Sequence, residues 1–138
     1  MGKKKNCFPG VIVLLSISLI LAALFSCGLG SKIGPTPGEE GTITVSNITK
    51  TSLTLSWTRA SDDITPQAEL EYRVYSSSSD NIATDAAVEP NGAAVSEWQA
   101  DLNTLDVTGL TAATPYYFNV LVRDAQKNTA AYTMITAI

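Results

Sequence analysis

The sequence predicts an all-β sandwich over residues 42–138, and three observations lead to this fold class. Apolar and polar residues alternate with a period of two in several short segments, most clearly in 116–123. Polar turn clusters separate these segments. No convincing long helix is indicated after residue 42. These 97 residues suit one domain of ordinary size.

Three strands are predicted between residues 43 and 75. Apolar residues of the first are Ile43, Val45 and Ile48. The second and third alternate strictly, with these residues on one face: Leu53, Leu55 and Trp57, then Leu70, Tyr72 and Val74. A polar turn cluster at 61–66 separates the second strand from the third.

The segment that follows the third strand is the least regular. Residues 84–89 suit a single helical turn, with Thr84 as its cap and Asp85 in the first turn. Val95 and Trp98 are expected to pack over the sandwich, in either a lid or a short strand.

The last two strands are predicted at 116–123 and 129–135. The first should have one buried face, made of Tyr116, Phe118, Val120 and Val122. For the second strand, two assignments of the inner face are possible: Ala131, Thr133 and Ile135, or Tyr132 and Met134.

A short bend containing Thr114 and Pro115 lies between Leu110 and Tyr116. This spacing resembles the tyrosine corner of the fibronectin type III domain, an immunoglobulin-like β-sandwich, in which the Tyr hydroxyl bonds to the backbone a few residues upstream. The family usually has Pro and Gly where this chain has Ala112 and Ala113. The resemblance implies a structural core that includes Trp57, Tyr72, Leu110, Tyr116, Phe118 and Val120.

The N-terminal residues have the pattern of an export signal. Three lysines at 3–5 precede an apolar run at 11–25, which is shorter than the ~20 residues that a membrane-spanning helix needs. The run ends in Leu-Phe-Ser-Cys27, which resembles the bacterial lipobox. We expect a lipoprotein signal peptide at 1–26. The alternatives are an uncleaved signal anchor and a secretory peptide that is cut elsewhere.

Lipidation of Cys27 would explain the only thiol that remains after Cys7 is removed with the signal. The resemblance implies a diacylglyceryl and an N-acyl group such as palmitate, and two or more chains anchor stably. Residues 27–41 are rich in Gly and Pro and read as the lipidated Cys and a flexible linker. The predicted location is the bacterial cell envelope, with the domain outside the cytoplasm.

Composition excludes several classes of function. After removal of the signal, the chain has six basic and thirteen acidic residues. The resulting net charge of −7 opposes nucleic-acid binding. The chain has no His, which excludes Ser-His-Asp and Cys-His catalysis. We therefore expect no enzymatic activity, no catalytic residues and no cofactor.

A calcium site is the only metal site for which the sequence offers a physical argument. The fibronectin type III resemblance implies that the loops after strands 53–57 and 116–123 share a pole, which would collect Asp62, Asp63 and Asp124, with Asp85 nearby. The simpler alternative is that each Asp bonds to its own loop backbone. We therefore expect that the chain has no metal site. If calcium does bind, Asp62, Asp63 and Asp124 are the candidate ligands.

Fibronectin type III domains serve in protein contacts, as spacers, or beside carbohydrate-active enzymes. The resemblance therefore implies a membrane-tethered module that binds a protein or glycan. The alternatives are a structural envelope-assembly subunit and an accessory domain of a secreted carbohydrate-active enzyme. An accessible patch of Tyr75, Trp98 and Tyr117 would favour glycan or protein binding, and burial of Trp98 would count against it.

Overall fold

The computed structural model describes residues 34–138, which fold as a sandwich of two antiparallel sheets. One sheet has the order β1-β2-β6, and the other has β7 and β3 at its centre, with β4 and β5 pairing with β3 and β8 and β9 pairing with β7. The elements are β1 Ile43–Ser46, β2 Ser52–Trp57, β3 Glu71–Ser77, α1 Asp85–Asn91, β4 Ala93–Ala94, β5 Gln99–Ala100, β6 Thr104–Thr108, β7 Tyr116–Arg123, β8 Thr129–Ala131 and β9 Ile135–Ala137. The predicted sandwich is confirmed.

The main core lies between the sheets. Trp57, Tyr72, Phe118 and Val120 are at most 5% exposed, while Leu110 and Tyr116 are half-buried and pack against this core from its margin. Ile48 lies outside β1 and is 59% exposed, so its placement in the first strand is wrong. All of the described strands lie within the compact unit Ser31–Ile138. We therefore expect this unit to fold as an independent domain.

β7 is buried on both faces, not on one. Asn119 and Leu121 are at most 1% exposed, although they alternate with the residues that face the main core. Leu121 belongs to a second apolar cluster with Tyr75, Ile82 and Val88. Since α1 carries Val88 over this outer face, the second sheet is covered on both sides. Thr84 is the N-cap residue of α1, but its side chain makes no capping hydrogen bond.

The closing strand contains a one-residue bulge. Leu121 pairs with Ala131 and Phe118 pairs with Ile135, so the last strand uses one residue more than β7 over the same length. Tyr132 therefore faces the main core before the bulge, and Ile135 packs on that core after it. Neither of the two predicted inner faces is right, because each assumed an unbroken alternation.

The folded unit begins before Thr42. Thr36 exchanges two backbone hydrogen bonds with Ser61, at 2.7 and 2.9 Å, and the Thr133 N–H donates to the Gly41 carbonyl at 2.8 Å. The bulge frees Thr133 from β7 and allows this contact. Residues 34–41, which were predicted as linker, are thus bound to the sandwich edge.

The tyrosine corner forms as predicted. The Thr111 N–H donates to the Tyr116 hydroxyl at 3.1 Å. Ala113, where the family usually has Gly, has a φ of 55°.

We expect Ala113→Gly to stabilise the domain by about 0.5–1 kcal/mol. The left-handed conformation costs an L-residue roughly 1–2 kcal/mol, which Gly avoids. Gly loses more backbone entropy on folding than Ala, and this offsets about half of the stabilisation. Ala113 is exposed, so no packing is lost. Urea unfolding measures the change. Ala112→Gly is the control because Ala112 has no positive φ, and it should destabilise the domain slightly. A less stable A113G variant would show that the bend is unstrained.

Candidate functional site

The calcium candidates do not converge. The Asp62 carboxylate accepts the N–H groups of Ile64 and Thr65 at 3.1 and 2.8 Å, and the Thr65 bond is the main reason that its pKa is lowered. Asp63 is exposed. Asp124 is 2% exposed and accepts from the backbone and side chain of Asn128 at 2.8 and 2.6 Å. Two of the three predicted ligands are therefore used to shape their own loops.

Asp85 accepts a hydrogen bond from the Thr129 hydroxyl at 3.0 Å. Between residues 34 and 138, no three acidic, His or Cys side chains lie close enough together to hold a metal ion. The calcium hypothesis therefore finds no site in this part of the chain.

The same loops do form one end of the sandwich, which we call the N-terminal pole: residues 34–36, 58–66 and 124–128. The Ala125 N–H donates to the Thr65 hydroxyl at 3.2 Å and joins the two loops. The Thr36–Ser61 bridge adds the N-terminal segment. The chain thus enters the described domain at this pole.

The aromatic patch is not an accessible platform. Tyr75 is 3% exposed, and its hydroxyl donates to Glu89 of α1 at 3.1 Å. Trp98 is half-buried, and the Arg123 guanidinium lies 4.0 Å from its ring centroid. Tyr117 is also half-buried, against the second cluster. Since sugars stack on exposed aromatic faces, this arrangement counts against glycan binding here.

Arg123 is part of a charge network on the same sheet. Its Nε lies 2.6 Å from the Glu71 carboxylate, which also accepts from Lys127 at 3.0 Å. The hydrogen bond from Arg123, followed by that from Lys127, lowers the pKa of Glu71. These charges are therefore paired with one another where the start of β3 lies beside the end of β7.

A concave surface lies at the other end, the opposite pole, formed by residues 47–53, 110–116 and 137–138. A pocket of about 400 Å³ opens there beside the tyrosine corner. Its lining includes Ile48, Leu53, Leu110, Tyr116 and Ala137. Sequence reasoning missed this pocket because Ile48 was assigned to a strand. The available signal was an apolar residue two positions before Lys50, in the turn between the first two strands.

The predicted lipidation residue, Cys27, lies outside the described residues, as do the signal peptide at 1–26 and the first part of the linker. No helix within residues 34–138 has the length and apolar character needed to cross a membrane.

The family model for the fibronectin type III domain matches residues 35–135. The chain belongs to the fibronectin type III family. The matched range begins in the segment that the structure adds to the domain, next to the Thr36–Ser61 bridge. Among curated protein sequences, none matches this chain.

Several solved structures are similar to this chain. The chicken CNTN1 FN1–FN3 domains are 13% identical with a TM-score of 0.52, over 76% of this chain and 32% of that one. Titin kinase with its flanking domains is 19% identical with a TM-score of 0.47, over 75% and 16%. The FN5 domain of Drosophila Lar is 15% identical with a TM-score of 0.44, over 75% and 90%. This chain spans about a third of the CNTN1 fragment, and at these identities the likeness concerns the fold alone.

Proposed function

We propose that this chain is a lipid-anchored, noncatalytic module of the bacterial cell envelope that binds a protein partner through its opposite pole. Membership of the fibronectin type III family supports a binding or adhesion role. The observation that carries the proposal is the attachment of residues 34–41 to the domain, which fixes where the chain enters it.

This attachment shortens the tether. With Cys27 in the membrane, six residues remain before Gly34, which reach at most about 20 Å at ~3.3 Å each. The fourteen-residue linker predicted from the sequence would reach about 46 Å. A short tether at the N-terminal pole keeps that pole near the lipid and turns the opposite pole outward.

The opposite pole has features of a contact surface. Ile48 and Ile138 are 59% and 78% exposed, and both line its pocket. Exposed apolar side chains grouped around a concavity are typical of interaction sites. A protein partner is favoured over a glycan because the candidate aromatic platform is covered by Arg123 and α1.

Cys27→Ser tests the anchor in bacterial cells that process lipoproteins. We expect the unaltered chain to incorporate a labelled fatty acid and to sediment with membranes, and the variant to lose both properties, because no second lipid acceptor remains. Cys7→Ser is the matched control and should behave like the unaltered chain. Retention of label in the Cys27 variant would refute the anchor.

The same strains test the direction of binding. A photo-crosslinking residue placed at Thr114 reports on the opposite pole, and one at Asp63 reports on the N-terminal pole. Protein adducts at position 114 that are absent at position 63 are expected. Adducts at position 63 alone would overturn the proposed orientation while leaving the anchor unaffected.

A further inference from the structure

The pocket at the opposite pole has one charged side chain in its lining, Lys50. Five basic residues lie within 34–138, and four of them form ion pairs with acidic side chains: Arg59, Arg73, Arg123 and Lys127. Lys50 forms none within this part of the chain. In a strongly acidic protein, an unpaired cation beside an apolar cavity attracts an anion to that position.

The rest of the lining separates into an apolar wall and a polar rim. Leu53, Leu110 and Ala137 form the wall, with Ile48 and Ile138 at the mouth. The Tyr116 hydroxyl accepts the Thr111 N–H at 3.1 Å and places a fixed polar group at this rim. An apolar cavity with a few polar groups at one edge is the usual form of a small-molecule site.

We propose that this pocket binds a small amphiphilic carboxylate, with its aliphatic chain against Leu53 and Leu110 and its carboxylate near Lys50 and Tyr116. A volume of about 400 Å³ holds about a dozen non-hydrogen atoms at ~30 Å³ each. A straight-chain acid of about eight carbons therefore fits. The inference goes beyond the protein-binding role and does not depend on the lipid anchor.

The test uses the unit Ser31–Ile138, which contains both sheets and both apolar clusters. Sodium octanoate is titrated below its micellar concentration, and binding is followed by calorimetry and by NMR shifts of the amides at 48–53 and 110–116. A dissociation constant of about 1 mM or lower is expected. Octylamine, which has the same chain and the opposite charge, should bind at least about fivefold more weakly.

Three variants separate the parts of the site. Lys50→Gln should weaken octanoate binding about fivefold, and Lys127→Gln, which removes the same charge at the N-terminal pole, should leave it unchanged. Ala112→Trp should abolish binding by filling the pocket, since Ala112 is exposed and lines it. The proposal is overturned if octanoate does not bind, if octanoate and octylamine bind equally well, or if octanoate binding survives in A112W.

Discussion

Replacing Tyr72 with Ala is expected to lower the free energy of unfolding by about 3–5 kcal/mol. Tyr72 is fully buried between the sheets, with its ring centroid 6.2 Å from that of Trp57 and 6.5 Å from that of Tyr132. Truncation removes contacts with both rings and leaves a cavity that the surrounding strands cannot close. For a domain of this size the loss is a large part of the total stability. Chemical denaturation of the unit Ser31–Ile138 measures it.

Tyr72→Phe separates the hydroxyl from the ring. The Ala60 N–H donates to this hydroxyl at 2.8 Å, and Ala60 is itself fully buried. Without the oxygen, a buried donor has no partner, which costs about 1–3 kcal/mol. We therefore expect Y72F to lie between the unaltered chain and Y72A. Equal stability of Y72F and the unaltered chain would show that another acceptor reaches Ala60.

Asn119→Ala is expected to cost about 2–3 kcal/mol and to loosen the segment before and within α1. Asn119 is fully buried in β7, and its Nδ2 donates to the Ile82 carbonyl at 2.7 Å. That bond fixes the chain just ahead of α1 over the outer face of the sheet. Loss of the donor leaves a buried carbonyl unpaired, so amide exchange in residues 82–91 should accelerate more than exchange in β2.

Asn91→Ala is the matched control. Asn91 also uses its Nδ2 to hold this segment, donating to the Asn81 carbonyl at 2.9 Å, but it does so in water. Its removal should change stability by no more than about 0.5 kcal/mol. A similar cost for N91A and N119A would mean that burial of Asn119 does not decide its contribution.

Sequence reasoning succeeded where a pattern is local. The alternation in β2, β3 and β7 places Trp57, Tyr72 and Phe118 on one side of their strands, and the side chains lie in the main core. The six-residue spacing from Leu110 to Tyr116 resembles the family's tyrosine corner, and the hydroxyl bond that this resemblance implies forms. Strand periodicity and short-range spacing do not depend on what the rest of the chain does.

It failed where a distant segment changes the environment. Asn119 reads as an outward-facing polar residue until Ile82 and α1 cover it. Residues 34–41 have a linker's composition, yet Gly41 accepts a hydrogen bond from Thr133. The calcium candidates share a pole, but Asp62 and Asp124 bond within their own loops.

Alternation and composition are properties of the chain alone, so they were enough to predict the sandwich, its core aromatic residues and the acidic balance of the domain. The tyrosine corner followed from the resemblance of the 110–116 segment to the family's pattern. The tertiary structure decided the position of the first residues of the domain, the second buried face of β7 and the pocket beside Lys50. Each of these joins segments that are far apart in sequence. No local pattern indicates which segments will meet, because packing of the whole molecule selects those contacts.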